Sequence, residues 1–182
     1  MSKVGVEGRS FKKISHHDLK RLAQIAYKDQ RDFFRQYPKW GNLFAKRVLC
    51  IALCQGAAKH YTDTPTGIND FDVYTFYKKH PRVRWYAKRI KSYDFGNAKF
   101  GQSIDKPNFI GRRVDCLGRE IEFKEGDDVL IAIRRYLQEG KTKTARLLAQ
   151  KAVILLEPDC SKVVWVGNDA VEGNIKNLSI LP

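Results

Sequence analysis

Three aspartates near the middle of the chain have the spacing of a site for a divalent cation. Asp70 and Asp72 are separated by one residue, and Asp115 follows 43 positions after Asp72. Residues two positions apart on a β-strand point to the same face, so Asp70 and Asp72 can share one ion. Mg²⁺ prefers oxygen ligands and keeps water molecules that substrate phosphates can replace. We therefore predict that these three carboxylates bind Mg²⁺ or Mn²⁺ and are catalytic.

The segments around the first two aspartates predict two strands joined by a turn and a short helix. Residues 47–55 are too apolar to alternate, with an unbroken apolar run from Val48 to Cys54, and this favours a central strand covered on both faces, with a helix as the alternative. Gly56 then begins a turn into a short helix, and the composition of residues 62–67 is typical of a loop. Residues 70–77 are rich in aromatic and β-branched side chains with a period near two, which predicts a second strand that carries the aspartate pair.

The third aspartate lies in a segment that has the pattern of a β-hairpin. Residues 112–117 and 120–124 are the two strands of this prediction, and Gly118 and Arg119 form its turn. Asp115 is then a residue of the first strand of the hairpin.

This order of elements resembles the nucleotidyltransferase superfamily, which includes polymerase beta and the minimal nucleotidyltransferases. Its signature is a turn written Gly-Gly or Gly-Ser, then Asp-x-Asp or Asp-x-Glu, and a third carboxylate on a neighbouring strand. Here the turn matches Gly56-Ala57, the pair matches Asp70 and Asp72, and the third carboxylate matches Asp115. The resemblance covers residues 47–124. It implies an α/β (α+β) fold with a nucleotidyltransferase-like mixed sheet flanked by helices.

The resemblance also implies a reaction and a role for each residue of the site. A nucleotidyl group would move from a nucleoside triphosphate to an acceptor, and Asp115 would be a metal ligand or the base nearest the nucleophile. Backbone amides at Gly56 and Ala57 would approach the triphosphate closely, although Ala57 stands where the family usually has Gly or Ser. Cations that would hold the triphosphate are Lys99, Lys106, Arg112 and Arg113.

Positive charge is concentrated in the first two thirds of the chain. The formal charge of +14 divides into +9 for residues 1–60, +5 for residues 61–120 and zero for the remainder, so polyanions are plausible partners. Residues 78–91 contain seven Lys or Arg and no acid, interleaved with Trp85 and Tyr86. We predict that they bind nucleic acid, with a solvated helix face as the alternative. The cations of this predicted surface are Lys78, Lys79, Arg82, Arg84, Lys88, Arg89 and Lys91.

Two other functions fit parts of the sequence. One is a catalytically inactive protein of the same fold that binds nucleic acid or a protein partner through its basic surface. The other is a metal-dependent nuclease in which Asp115 and Glu122 meet across the predicted hairpin beside Lys124.

Each aspartate also has an ordinary structural interpretation. Asp70 can be a turn residue, Asp72 can pair with a nearby arginine, and Asp115 can balance Arg112 or Arg113. Carboxylates on apolar central strands are costly to bury without a cation, and this favours the metal site.

The remaining sequence predicts one domain, residues 1–182, built on further helices. With 43% hydrophobic and 30% charged residues the composition is that of a globular protein. Ser15 and Asp18 form a capping-box pattern for a helix that ends before Pro38. Residues 127–156 predict two helices, an αα-hairpin packed on the core, and residues 163–166 predict a late strand.

The N-terminal residues lack the apolar core of a secretory signal, and no apolar stretch approaches the roughly 20 residues that span a bilayer. We therefore predict a cytoplasmic protein without a membrane partner. The cysteines form no C-x-x-C pair, which predicts free and mostly buried thiols and no structural zinc. They are Cys50, Cys54, Cys116 and Cys160.

Overall fold

Six strands form one mixed sheet that carries helices on both faces. The computed structural model describes residues 8–63, 66–86 and 89–167. The strands are β1 (Val48–Cys54), β2 (Phe71–Lys78), β3 (Ile90–Asp94), β4 (Arg113–Ile121), β5 (Ala152–Glu157) and β6 (Val163–Trp165). Their order across the sheet is β3-β4-β2-β1-β5-β6. Neighbouring strands are antiparallel except for β2 and β4, which run parallel.

The long N-terminal helix α1 (His16–Gln36) covers one face of the sheet. It begins with the predicted capping box, because the Ser15 side chain accepts from the Asp18 N–H and the Asp18 side chain accepts from the Ser15 N–H. It ends before Pro38, as predicted, and α2 (Pro38–Phe44) follows. The apolar face of α1 joins α3 (Gln55–Thr62) and this face of the sheet in a continuous core. This layer fixes the strands that carry the aspartates.

The second face of the sheet is covered by two helices of unequal length. Helix α4 (Val129–Glu139) is capped by Asp128 and ends at Gly140, whose φ of 55° favours glycine. Helix α5 (Lys143–Ala149) is capped by Thr142 and packs against α4. The prediction of helix through residue 156 was wrong, because β5 begins at Ala152 and pairs with β1 along its length. The late strand was predicted correctly as β6.

Strand β1 is a central strand with neighbours on both sides, as its apolar sequence predicted. The reversal that follows it occurs one residue earlier than predicted. Gln55 has a φ of 60°, in the left-handed region, whereas Gly56 already lies in the first turn of α3 with an ordinary backbone conformation. A non-glycine residue in this region is strained, and such residues often mark functional sites.

The predicted hairpin at residues 112–124 is absent from the described structure. β4 is one continuous strand through Gly118, and it pairs in parallel with β2 along its whole length. Gly118 is therefore not a turn residue. A Cβ atom at this position would lie 2.5 Å from Nε1 of Trp85, so the glycine is required by the packing of the indole against the strand.

Loss of the hairpin also removes the basis of the nuclease hypothesis. Glu122 follows Asp115 by seven positions in extended chain, which separates the two by about 23 Å. Its carboxylate instead accepts from Lys79 at 2.7 Å. The two carboxylates cannot hold one ion, so the site that the nuclease alternative required is absent from the described residues.

Three of the four cysteines are buried free thiols, as predicted, and Cys160 is only partly buried. Burial raises the pKa of Cys50 to about 12, so this thiol is unreactive at neutral pH. Of the helices in the described part of the chain, none has the length and apolar character needed to cross a membrane.

Candidate functional site

A polar pocket of about 390 Å³ opens where β1 ends and β2, β4 and β5 begin. All three predicted aspartates line it, together with Gly56 and Arg113. Residues 66–69 close one side. Their position is fixed by the buried His60, which accepts from the Gly67 N–H at 3.1 Å and contacts the Lys12 carbonyl at 3.1 Å. The predicted site is thus a real depression built by several elements.

Two of the aspartates are direct neighbours on adjacent strands. Asp72 is paired in register with Asp115 across the parallel β2 and β4 strands, which places their Cα atoms about 4.8 Å apart. Ser92 of β3 donates to Asp115 at 2.6 Å and fixes that carboxylate from the outer side. Asp70 lies at the entry to β2. The three side chains therefore line one pocket, and their roles as metal ligands and catalytic groups stay predictions.

The Asp72 carboxyl group is in an unfavourable environment for a negative charge. Burial, reinforced by the nearby charges of Asp70 and Asp115, raises its pKa to about 7, and Arg113 and Lys151 only partly oppose this rise. No hydrogen bond or ion pair reaches it from another residue that the structure describes. A buried charge without a partner is costly, and here it belongs to a residue that faces an open pocket.

Arg113 ties the other carboxylates together. It forms ion pairs with Asp70 at 2.5 Å and with Asp105, and its Nε lies 3.2 Å from Asp115 without making a hydrogen bond to a described residue. In this arrangement no three acidic, histidine or cysteine side chains of the described residues are grouped closely enough to hold a metal ion. The Arg113 guanidinium lies beside Asp70 and Asp115, where a cation bound by these carboxylates would otherwise lie.

The first turn of α3 forms another wall of the pocket. Gly56 lines it, and a Cβ atom at Gly56 would meet nothing within 4 Å, so a ligand can approach the backbone there. The prediction for Ala57 concerned its backbone amide; its side chain is buried in the core below, and the residue is not among those that line the pocket. Only its backbone N–H remains as a contribution to the site. No side chain caps this helix start, which leaves the first amides for a ligand.

Several lining residues were not found from the sequence. Lys151 precedes β5 and reaches the pocket because Ala152 bridges to Gln55 at the end of β1. Arg9 lies at the rim, where it donates to the Thr66 carbonyl at 3.0 Å. Neither residue has a local sequence signal, because both depend on elements whose pairing is long-range.

Two cations that were predicted to hold a triphosphate belong to other parts of the molecule. Lys99 forms an ion pair with the buried Asp18, which anchors a loop to the start of α1. Arg112 is buried and donates to the carbonyls of Phe100, Gly8 and Asn69. Both side chains are absent from the lining of the aspartate pocket. Lys106 is also absent from this lining, so Arg113 is the one of the four predicted cations that is present there.

The predicted nucleic-acid surface divides into exposed and internal residues. Arg89 is internal, because it makes a bidentate ion pair with Asp29 at 2.7 and 2.5 Å and covers the Phe33 ring at 4.2 Å. Trp85 is also buried, stacked on Tyr77 at 4.1 Å between ring centroids. Lys88 lies outside the described residues. The exposed members are Lys78, Lys79, Arg82, Arg84 and Lys91.

Comparisons of the chain with protein-family models, with curated proteins and with solved structures found no match. Function therefore has to be inferred from the pocket and the surface themselves.

Proposed function

We propose that the aspartate pocket binds a nucleoside triphosphate with Mg²⁺ or Mn²⁺, and that the protein is a cytoplasmic nucleotidyltransferase acting on a nucleic-acid or protein acceptor. The observation that carries the proposal is the position of Asp72 next to Asp115 on neighbouring strands. The Asp72 carboxylate has no hydrogen bond or ion pair with another described residue, and it faces an open pocket. A cation would relieve the electrostatic cost of this arrangement.

The residues fit a Mg²⁺ ion of the kind that works with phosphates. Such ions are bound by one or two carboxylates and take their remaining ligands from water and the substrate. Asp72 and Asp115 supply these two carboxylates, and Asp70 would join them when Arg113 moves to a phosphate group. The bound cation would supply charge stabilisation and a lower pKa for the acceptor hydroxyl. The proposed metal ligands are therefore the same three aspartates that the sequence indicated.

The other walls of the pocket suit a triphosphate. The backbone at Gly56 is accessible, and the uncapped start of α3 favours negative charge. Lys151, Arg9 and Arg113 are positive side chains around the same opening. We assign them to the phosphates, with Arg113 exchanging its carboxylate partners for phosphate oxygens.

One observation favours a second function, a protein that keeps this fold without the chemistry. Arg113 already neutralises Asp70 and stands beside Asp115, so two of the three carboxylates are compensated without a cation. Transfer of label from an α-³²P nucleoside triphosphate to any component of a cell extract separates the two functions. Labelling that requires Mn²⁺ supports catalysis, whereas binding of Mn²⁺ and nucleotide without labelling supports the inactive protein.

Mn²⁺ affinity is expected to depend on pH because the cation must displace a proton from Asp72. The pKa of this carboxyl group is raised to about 7, so its ionised fraction falls about tenfold between pH 8 and pH 6. We expect the Mn²⁺ affinity to fall by a similar factor over this range. Titration calorimetry in buffers of different ionisation enthalpy should show release of close to one proton per Mn²⁺ at pH 6 and almost none above pH 8.

Two results would contradict this expectation. The electron paramagnetic resonance signal of free Mn²⁺ decreases when the ion binds to protein. The metal proposal fails if this signal does not decrease at millimolar protein concentration. The assignment to Asp72 fails if Mn²⁺ binds with the same affinity and no proton release across the whole pH range.

Gly56→Ala is expected to weaken nucleotide binding without loss of stability. The added methyl group meets no protein atom within 4 Å but projects beside the pocket, where it would keep a phosphate from the helix start. Alanine is also the better helix former, by about 1 kcal/mol in an exposed interior position. We expect an unchanged or slightly higher melting temperature and about tenfold weaker binding of Mn²⁺-ATP, the loss of roughly one contact.

Gly41→Ala is the control for nucleotide affinity alone and not for stability, because its added Cβ would lie 3.2 Å from the Cβ of Phe34. Gly41 also lies in a helix, α2, and is not among the residues that line the aspartate pocket. Its nucleotide affinity should equal that of the unmodified protein. Equal affinity in Gly56→Ala would show that no phosphate approaches the start of α3.

A further inference from the structure

A second depression, of about 440 Å³, lies between the end of α1, α2 and the start of β3. We call it the aromatic slot. It is lined chiefly by the rings of Phe33, Tyr37, Trp40 and Tyr86, with Lys91 at one border. It shares no lining residue with the aspartate pocket.

Several large apolar and aromatic side chains of the aromatic slot are exposed to solvent, although such side chains are usually buried in a globular protein. Tyr37 is 47% exposed, Tyr86 is 52% exposed, and the adjoining Ile90 is 59% exposed. The rings of Trp40 and Tyr86 are 6.4 Å apart between centroids and inclined by only 32°. Contiguous exposed aromatic area of this kind marks a binding surface rather than a random feature of the exterior.

The rings of the slot rest on a rigid support. Trp40 packs against Phe44 at 5.7 Å and against the buried Trp85 at 5.8 Å. Phe33 is covered by Arg89, which also lines the slot and whose guanidinium is held by the buried Asp29. The slot is therefore formed before a ligand arrives, which lowers the entropy cost of binding.

The chain segments around the slot are strongly basic. Residues 31–47 contain five Lys or Arg and one acid, and residues 78–91 contain seven and none. The single acid, Asp32, already pairs with Lys28 at 2.5 Å. The exposed cations of these segments include Arg35, Lys39, Arg82, Arg84 and Lys91. The excess of positive charge in these segments favours a negatively charged partner.

We propose that the aromatic slot binds single-stranded nucleic acid. Bases stack on Tyr37, Trp40 and Tyr86, and the surrounding cations contact the phosphates. Exposed rings next to a positively charged surface are the two elements that single-strand binding requires, because every base offers a flat face and every nucleotide a charge. Duplex bases are already stacked and paired, so the slot selects single strands. This proposal is independent of metal binding or nucleotidyl transfer in the aspartate pocket.

The test is fluorescence anisotropy with a fluorescein-labelled twelve-residue oligothymidylate, which has no secondary structure, and with a duplex of the same length. We expect the unmodified protein to prefer the single strand. Tyr37→Ala and Tyr86→Ala should each weaken single-strand binding about tenfold, the usual scale for loss of one stacking ring. The slope of affinity against salt concentration should stay unchanged in both variants, because neither removes a phosphate contact.

Tyr27→Ala is the matched control. Tyr27 is a 42% exposed tyrosine of α1 that does not line the slot. Its affinity should equal that of the unmodified protein. Lys91→Gln should instead reduce the slope of the salt dependence, and circular dichroism of each variant verifies that the fold is retained.

Trp40 provides a direct report from inside the slot. The other two tryptophans, Trp85 and Trp165, are buried, so a stacked base should quench Trp40 emission, and the quenching should disappear in Trp40→Phe. The proposal is overturned by equal affinity for duplex and single strand, by a Tyr27→Ala loss as large as that of Tyr86→Ala, or by binding without quenching. It is also overturned if sedimentation shows that the slot is covered by a second copy of the chain and Tyr86→Ala yields monomers.

Discussion

Asp72→Asn is expected to abolish Mn²⁺ binding and nucleotidyl transfer while making the protein more stable. The amide has nearly the same shape as the carboxylate but no charge for a cation, so we expect Mn²⁺ affinity to fall at least about a hundredfold and transfer at least about a thousandfold. Calorimetry and the radioactive transfer assay measure these two losses. A loss of function together with a gain in stability indicates a residue whose charge is retained for binding a ligand.

The gain in stability follows from the direction of the Asp72 pKa shift. The pKa rises from 3.8 in the unfolded chain to about 7 in the native protein, so the native state binds the proton more tightly. Ionisation therefore lowers the free energy of unfolding progressively as pH rises from about 4 to 7. A rise in pKa from 3.8 to about 7 corresponds to about 4 kcal/mol at pH 8 for a fully buried group; because Asp72 is only partly buried we expect about 2 to 4 kcal/mol, and the asparagine variant should recover most of it.

We expect the melting temperature of Asp72→Asn at pH 8 and without Mn²⁺ to exceed that of the unmodified protein by about 5 °C or more. The difference should shrink as the pH falls and vanish below about pH 3, where the carboxyl group is protonated in both the native and the unfolded states. Asp63→Asn, at an exposed position after α3, is the control and should change neither stability nor Mn²⁺ binding. A lower melting temperature for Asp72→Asn at pH 8 would mean that the carboxylate has a stabilising partner.

Gly118→Ala is expected to destabilise the protein by about 2 to 3 kcal/mol, the scale of an overpacked core position. The added Cβ would lie 2.5 Å from Nε1 and 2.7 Å from Cε2 of Trp85, and this ring is held on its far side by Tyr77, Phe44 and Phe33. The indole cannot retreat without disturbing the cluster. Urea denaturation at neutral pH measures the change in the free energy of unfolding.

A double-mutant cycle distinguishes this packing role from the turn that the sequence suggested. The atoms that clash belong to the indole, so Gly118→Ala should cost much less in a Trp85→Phe background. Gly56→Ala, with no neighbour near the new methyl group, is the control for the exchange itself. Equal costs in the two backgrounds would refute the proposed contact.

Local signals predicted much of the fold. The capping pattern at Ser15, the apolar run of β1 and the alternation of β2 each depend on neighbours within a few residues, and all three elements are present. A local signal is read correctly when tertiary packing agrees with it.

The errors in the predicted secondary structure occurred where the local sequence fitted two kinds of element equally well. Residues 152–156 form a short apolar run, which periodicity cannot assign to helix or strand, and pairing with β1 decided for a strand. Gly118-Arg119 resembled a turn because glycine is common in turns. The true reason for the glycine is a tryptophan 33 positions earlier, which no local pattern reveals.

The position of the acidic residues of the site was predictable from the sequence, whereas the position of the basic residues was much less so. Asp70, Asp72 and Asp115 share a pocket because strand spacing and order determine where they lie. Lys99, Arg112 and Arg89 were selected only for their charge. Each is held by an internal carboxylate or carbonyl, and the choice of partner for a long side chain is made by the tertiary structure.

The parallel pairing of β2 with β4 couples the acidity of the pocket to local opening of the sheet. Asp72 and Asp115 meet only when β4 docks on β2, and β4 is held on its other side by the short edge strand β3 alone. If β4 undocks, Asp72 becomes more exposed and loses its neighbour Asp115, so the pKa of its carboxyl group falls towards the ordinary value. Alkaline conditions therefore favour the opened edge, and a bound cation favours the closed one, so amide hydrogen exchange in β4 is linked to occupancy of the pocket.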